Sequence, residues 1–406
     1  MKKIGLFLLL TQMLFAGNSI YNISVNGRGG GMGGVELAIP GDATGIFSNP
    51  ANITTIHPHT FSGTLGASTS FTYVESGEGT QSPDFEVYPL GAFAYAYRLS
   101  DMPISFGFGI YPIVGAGASY SNFELGGGLE ATLKSQFALI KAVPTMALHI
   151  TENLSIGASF EVGYSTIESD NFSELAVIGG HKLEADAIAF GGKFGIFYQL
   201  FRTTLGVVYT TKMPVRFEGD FEEGDDKQDL EILGFEIPHV FELGIAHAIT
   251  DNLTIGMDFS YYLWNDSFRE LEFLRDNADN SVNPNPLVAP LDWRNQLSMA
   301  IGGEYVWGDH TFRLGYNYGE NPAARISITP TLSPIIEHHV TIGYGINVGN
   351  WTFDFSYDFE IPNTKTSKNP AFLDADQTTS AHIAYVMIRY RFGGPQNDDS
   401  KTRTLF

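Results

Sequence analysis

The stretch "LTIGMDFSYYL", residues 253–263, decides the fold class. Leu253, Ile255, Met257, Phe259, Tyr261 and Leu263 fall on one face of an extended chain. Thr254, Gly256, Asp258, Ser260 and Tyr262 fall on the other. Side chains alternate across a strand, so this period of two reads as a β-strand between an apolar and a polar environment. The same code recurs in "LSIGASFEVGY" (154–164), "TFRLGYNY" (311–318) and "WTFDFSYDF" (351–359). One such strand fits a soluble sandwich. A chain that repeats the code from residue 60 to 392, with almost no helical pattern, fits a transmembrane barrel, where one face meets lipid and the other a polar interior.

The turns repeat as well. "ITENLSIG" (150–157) and "ITDNLTIG" (249–256) are near copies, and "WGDHTFRLG" (307–315) and "VGNWTFDFS" (348–356) serve the same purpose. Asn, Asp and Gly at such places close tight hairpins. Tight turns fall near residues 100, 152, 201, 251, 309 and 349, with longer polar or irregular stretches between them. Candidate strands begin near 60, 86, 102, 133, 154, 186, 203, 237, 253, 293, 310, 336, 351 and 380. The expected fold is therefore all-β, an antiparallel barrel of about fourteen strands over residues 58–392. Its last strand, "HIAYVMIRYRF", ends in Phe392; a polar tail, 393–406, ends in Phe406, and either Phe could serve as the terminal assembly signal.

The chain opens with "MKKIGLFLLLTQMLFAGNS". Two lysines, a short apolar run and small residues make residues 1–16 a secretory signal peptide, cleaved after Ala16, with Ser19 as the alternative. The apolar run is shorter than the ~20 residues of a membrane helix. No Cys is present, which excludes a lipoprotein anchor and a disulfide framework. The net charge of −22 excludes a nucleic-acid partner, because phosphate contacts need clustered Lys and Arg. Residues 17–57 do not alternate. They carry "GRGGGMGG" (27–34) and "DATGIFSNPANIT" (42–54), and the segment is long enough to fold back as a plug, or hatch. Gly29, Gly31 and Gly34 spell a formal G-x-G-x-x-G without the strand and helix that nucleotide binding requires. The ten His are scattered, so no metal site, cofactor or catalytic residue is assigned.

In position and order, "GDATGIFSNPANI", "AVPTMALHITENLSIGASFEVGYSTI", "FRTTLGVVYTTKMPVRFEGD", "IPHVFELGIAHAITDNLTIGMDFSYYLW" and "ISITPTLSPIIEHHVTIGYGINVGNWTFDFSYDF" resemble the FadL/TodX (OmpP1) family of outer-membrane transporters for long-chain fatty acids and other hydrophobic compounds. The resemblance spans nearly the whole mature chain. It implies a hatch inside a fourteen-stranded barrel, with Asp42, Asn49, Pro50 and Ala51 in its Asp-Ala and Asn-Pro-Ala elements. It implies an apolar groove among the extracellular loops, a deeper pocket by the hatch, and a sideways exit at a kink in the third strand. No energy source acts at the barrel.

The third strand reads "SFGFGIYPIVGAG", which places the kink over Gly107, Gly109 and Pro112. Pro112 cannot donate to a ladder; it could equally mark the top of the strand. For the groove, Phe172, Leu175, Val177 and Ile178 stand in one polar loop, and Phe221, Leu233 and Phe235 in the loop facing it. A small helix packed on the rim would also explain the first set. The second loop has eight acids between Glu218 and Glu231 against Lys227 alone, which fits either a solvated loop or cation-bridged lipopolysaccharide. Arg313, Arg389 and Arg391 lie on the polar register, where one could pair a ligand carboxylate or, as the favoured reading, Asp258, Asp354 or Asp358 pair them. The expected protein is a monomer of the Gram-negative outer membrane that takes up a hydrophobic ligand passively. The alternatives are a water-filled porin and a surface adhesin or barrel enzyme.

Overall fold

The computed structural model describes residues 18–126, 129–171, 181–275, 286–331, 334–372 and 374–393. Fourteen antiparallel strands form a closed ring. In chain order they are β1 His59–Ser76, β2 Tyr88–Arg98, β3 Ile104–Gly126, β4 Leu129–His149, β5 Leu154–Asp170, β6 His181–Leu200 and β7 Thr203–Thr210. They continue as β8 Val240–Ala248, β9 Leu253–Tyr262, β10 Gln296–Trp307, β11 His310–Gly319, β12 His338–Val348, β13 Trp351–Thr366 and β14 Asp376–Phe392. Each pairs with the next, and β1 closes on β14 from His59↔Phe392 to Glu75↔Asp376. Strand starts follow the sequence reading closely. The widest offset is at β6, expected near 186 and found at His181.

The ring is inside-out relative to a soluble protein. Its outer surface carries Leu65, Phe106, Phe108, Phe160, Ile188, Phe190, Leu243 and Ile342, all exposed. Its inner surface carries buried Thr60, Ser62, Ser155, Ser159, Thr254, Asp258, Thr341 and Asp354. Near the short-turn end, Trp307 and Trp351 face outward, and His59 stacks on Phe392 at 4.8 Å and on Tyr97 at 4.4 Å. Such aromatics suit the membrane interface. No described helix is long and apolar enough to cross a membrane; the strands make the crossing.

The stretch after β7 departs from the irregular loop expected. Met213–Glu223 and Asp226–Ile237 form a hairpin that extends the wall outward, turning at Gly224 with φ +63°. Its acids are held along its own flanks: Lys227 Nζ lies 2.8 Å from Asp220, and Arg216 Nε 2.5 Å from Glu231. A further pair, Glu270–Arg275 and Leu287–Pro290, continues this extension.

A charge placed on the outer face tests this orientation. Leu243→Arg is expected to cost about 2–4 kcal/mol near the bilayer midplane, measured by reversible folding into vesicles. Leu243→Met should fold normally.

Candidate functional site

Residues 18–58 lie among the inward-facing side chains of the ring, and most are buried. Glycines on the wall set how closely they approach. A Cβ on Gly195 would meet Asn49 Oδ1 at 2.1 Å, and one on Gly157 would meet the Ala51 nitrogen at 2.5 Å. A Cβ on Gly206 would meet the Leu37 carbonyl oxygen at 2.2 Å. Gly157 and Gly195 are cross-strand partners, as are Gly206 and Gly244. These glycines, on β5 to β8, make a shelf on which the Asn-Pro-Ala element rests. Asn49 is fully buried and fixes it: its Nδ2 donates to the carbonyls of Leu37 (2.9 Å) and Ile196 (3.0 Å), and its Oδ1 accepts from the Ala51 N–H (3.0 Å). Pro50 starts the 3-10 turn Pro50–Thr55, where a missing N–H costs nothing. Asn321 and Asn369 accept in the same way from Ala323 and Ala371, so the local turn belongs to the tripeptide and the lumenal position to Asn49 alone.

Charges pin the segment to the opposite wall. Arg28 forks onto Glu304 at 3.0 and 3.2 Å; Glu304 accepts from Arg313 (2.7 Å); Arg313 donates to Asp354 (2.7 Å). Asp354 then accepts from Arg389 (3.1 Å), which reaches Asp42 at 2.9 Å. This chain of alternating charge begins and ends on the N-terminal segment and crosses β10, β11, β13 and β14. Burial pushes the Asp42 carboxyl up, but Arg389, the Thr44 N–H, Arg28 and Ser62 outweigh it and hold it below the usual range. Asp258 instead accepts from the backbone N–H groups of Glu36 (2.7 Å) and Leu37 (2.9 Å).

Between segment and wall lies a cavity of about 150 Å³. Tyr21, Phe47, Tyr111, Ile113, Val240 and Tyr262 give it apolar surface, and Glu36, Glu242, Asp258, Lys141 and Lys193 line it too. Lys141 pairs with Glu161 at 2.5 Å, and Lys193 donates to the Phe47 carbonyl. Burial pushes Glu36 up to about 7; bonds from Ser24 and Asn26 offset this only in part, and Asp258 and Asp42 add to it. A chain of aromatic contacts leads into the cavity from the extended wall. Phe217 and Phe137 meet Phe235 (5.5 and 4.4 Å), Phe235 meets Phe268 (4.8 Å), Phe268 meets Trp264 (5.3 Å), and Trp264 meets Tyr21 (5.8 Å).

The wall beside the cavity is incomplete. β2 and β3 pair only from Arg98↔Ser105 to Phe93↔Ile110. Above that, Tyr88–Ala92 of β2 remain bonded to β1, while β3 from Tyr111 onward pairs with β4. The next described bond joining the two sides is Asp84 N–H to the Ser119 carbonyl, at 2.7 Å. Gly107 and Gly109 lie below the break and keep register with Ala96 and Ala94. They face inward, where a Cβ would meet Ile46 and Phe47 of the segment at 2.6 and 2.4 Å. The irregularity itself falls at Pro112–Val114, where the register with β4 slips. The expected window of 107–112 thus contained the break only at its upper end. The Ile113 carbonyl accepts from the Asn22 N–H of the segment at 3.4 Å.

Of the expected groove residues, Phe221 and Phe235 are buried in the apolar core of the extended wall. Leu233 is half-buried and does not share their face. A bulge between Ile232 and Phe235, with Gly234 at φ +83°, inserts a residue and reverses the alternation. Phe172, Leu175, Val177 and Ile178 lie outside the described residues, as do the signal segment and Phe406. The wall glycines, Arg28, Glu304 and the aromatic chain through Trp264 were missed by sequence reasoning. The glycines had one signal: they sit on the inward register of successive strands.

A family profile described as "Outer membrane protein transport protein (OMPP1/FadL/TodX)" matches residues 6–392. The fold is similar to that of a Pseudomonas aeruginosa FadL homologue, at 16% identity over 92% of this chain and 100% of that one, with a TM-score of 0.76. It is similar to the Pseudomonas putida toluene transporter TodX, at 19% identity over 91% and 100%, with a TM-score of 0.72. The Ralstonia pickettii toluene transporter TbuX gives 20% identity over 91% and 98%, with a TM-score of 0.71. Comparison with curated protein sequences gives no match.

Gly195→Leu should lift the Asn-Pro-Ala element off its shelf while the ring persists. Faster amide exchange over residues 37–55 with unchanged heat resistance is the expected readout. Acidity should act the other way. Glu36 holds its proton to about pH 7 when seated, against 4.5 in a free chain. The seated form therefore binds more protons between those values, and seating weakens as pH rises through 7. Glu36→Gln should flatten this dependence in the same exchange measurement.

Proposed function

The chain belongs to the OMPP1/FadL/TodX family of outer-membrane transport proteins, and from that premise we propose that it is a passive channel for small, neutral hydrophobic molecules, released sideways into the bilayer between β2 and β3. The coarser statement needs no proposal: the protein is an outer-membrane β-barrel, and it transports hydrophobic compounds rather than catalysing a reaction. The observation that carries the finer reading is the end of the β2–β3 ladder at Phe93↔Ile110, beside a cavity lined by Tyr111 and Ile113.

The route runs from the aromatic wall to Tyr21 and Trp264, into the cavity, and out past Phe47 and Tyr111. Residues 17–57 act as the hatch. The Phe47 ring stands 4.0 Å from Tyr111, so a ligand passes only when the hatch shifts. Apolar lining along the path matters because each CH₂ kept from water is worth about 0.8 kcal/mol. A filled lumen disfavours the water-filled porin alternative.

Size and charge favour the ligand class. A cavity of about 150 Å³ is the size of one known to hold benzene. Lys141 is already paired with Glu161 and Lys193 donates to the Phe47 carbonyl, so neither lysine lining the cavity is left open to a ligand carboxylate. The names of TodX and TbuX as toluene transporters, and of CymD as a monoaromatic hydrocarbon channel, agree with this class. One ring encloses the whole route, so a single chain suffices as the transporting unit.

The chain has no native Cys, so the opening can be locked. Ala92 and Tyr111 would be the next cross-strand pair if the ladder continued. Ala92→Cys with Tyr111→Cys, oxidised, should reduce toluene uptake into proteoliposomes to that of empty vesicles, and reduction should restore it. Uptake indifferent to oxidation would sink the lateral route. Deleting residues 17–57 should leave a barrel with raised ion conductance and altered uptake; no change in either would remove the hatch role.

A further inference from the structure

β12 and β13 bring three ligand-type side chains together on the inner wall, none of which lines the cavity or belongs to the ion-pair chain. His339 stands directly across from Glu360, and Thr341 across from Asp358. We propose that His339, Asp358 and Glu360 bind a divalent transition-metal ion of the zinc class.

Three observations support this. His339 Nδ1 lies 3.5 Å from Asp358 Oδ2 and 3.5 Å from Glu360 Oε1, and the three donor atoms all fall within 4.8 Å of one another. A spacing of 3.5 Å is long for an N–H···O bond. It suits two ligands of one ion: donors about 2.1 Å from a tetrahedral metal stand about 3.4 Å apart. Second, burial is complete or nearly so, with side-chain exposures of 0%, 2% and 0%. Third, both ring nitrogens of His339 and both carboxylate oxygens of Asp358 lack a hydrogen-bond partner among the described residues.

A buried carboxylate requires a compensating charge. Arg313 on β11 and Arg389 on β14, the strands to either side, are committed elsewhere, Arg313 to Glu304 and Asp354, and Arg389 to Asp354 and Asp42. The Thr341 hydroxyl is also buried without a partner, directly across from Asp358. It is placed to bond a ligating carboxylate or a metal-bound water, the support that metal ligands ordinarily receive. One imidazole with two carboxylates suits zinc and its neighbours. Calcium and magnesium prefer shells of oxygen alone. Three protein donors leave a fourth position for water. Such an ion would clip the extracellular end of β12 to the middle of β13.

The full-length barrel, extracted and refolded with Zn²⁺ and then dialysed against zinc-free buffer, should retain one equivalent per chain. His339→Gln and Asp358→Asn should each retain only traces, while Glu222→Gln in the exposed acidic hairpin should retain the full equivalent. Co²⁺ in place of zinc should give the visible absorption of a tetrahedral nitrogen–oxygen shell in the wild type. Zinc held equally by wild type and His339→Gln would overturn the site, as would calcium or magnesium held in its place. If the variants fail to fold, the wild type decides alone: less than stoichiometric zinc, or no cobalt spectrum, overturns it.

Discussion

A bilayer offers no hydrogen bonds, so every backbone group at membrane depth must be satisfied by the protein itself. This forces a strand-crossing chain into a closed ring, and the closure of β1 on β14 is its expression here. Against that constraint, the short ladder between β2 and β3 is the costly feature of the wall. Part of the cost is met from within. Pro112 has no N–H to leave unpaired, and the Ile113 carbonyl takes a bond from Asn22 of the N-terminal segment. The break and the segment are therefore coupled. The segment bonds the edge at Ile113 through Asn22 and covers it at Tyr111 through Phe47.

The same constraint dictates the interior. With the apolar half of each strand spent on lipid, the polar half must turn inward, where it needs partners. The N-terminal segment supplies them: backbone N–H groups for Asp258, and Arg28 and Asp42 as the two ends of the charge chain. Ion pairs this buried contribute little net stability over apolar packing, since desolvation opposes them. They are intolerant of misplacement, because an unpaired buried charge is expensive. The chain thus fixes where the segment sits more than how tightly. The glycine shelf opposite sets the depth.

Strands were legible because the alternation is local: each segment such as 253–263 declares both faces without knowing its neighbours. Asp258, Asp354 and Asp358 were legible as partners for Arg313 and Arg389 for the same reason, since register parity alone puts them inside; the structure pairs both arginines with Asp354. What depends on pairing between strands was not legible. The end of the β2–β3 ladder is a property of two segments together, and the slip at Pro112–Val114 was visible only as a proline among glycines. The bulge at Gly234 reversed the facing of Leu233 relative to Phe235 because one inserted residue shifts a period of two by half its length. His339 and Glu360, twenty-one positions apart, meet only through the β12–β13 register.

The Asn-Pro-Ala triplets show where local and global information divide. In all three the Asn Oδ1 accepts from the N–H two residues on, so this local bond belongs to the tripeptide itself. Only Asn49 also reaches a wall carbonyl, at Ile196, and it does so because Gly195 beside it has no side chain. A motif of three residues thus gains its role from a fourth, far along the chain. That dependence fits the proposed role, in which the segment is both firmly seated and releasable. Its turn persists on its own, while its attachment rests on a few contacts with the wall. On the proposed route, a ligand entering the cavity beside Phe47 would compete with those contacts without having to unfold the turn.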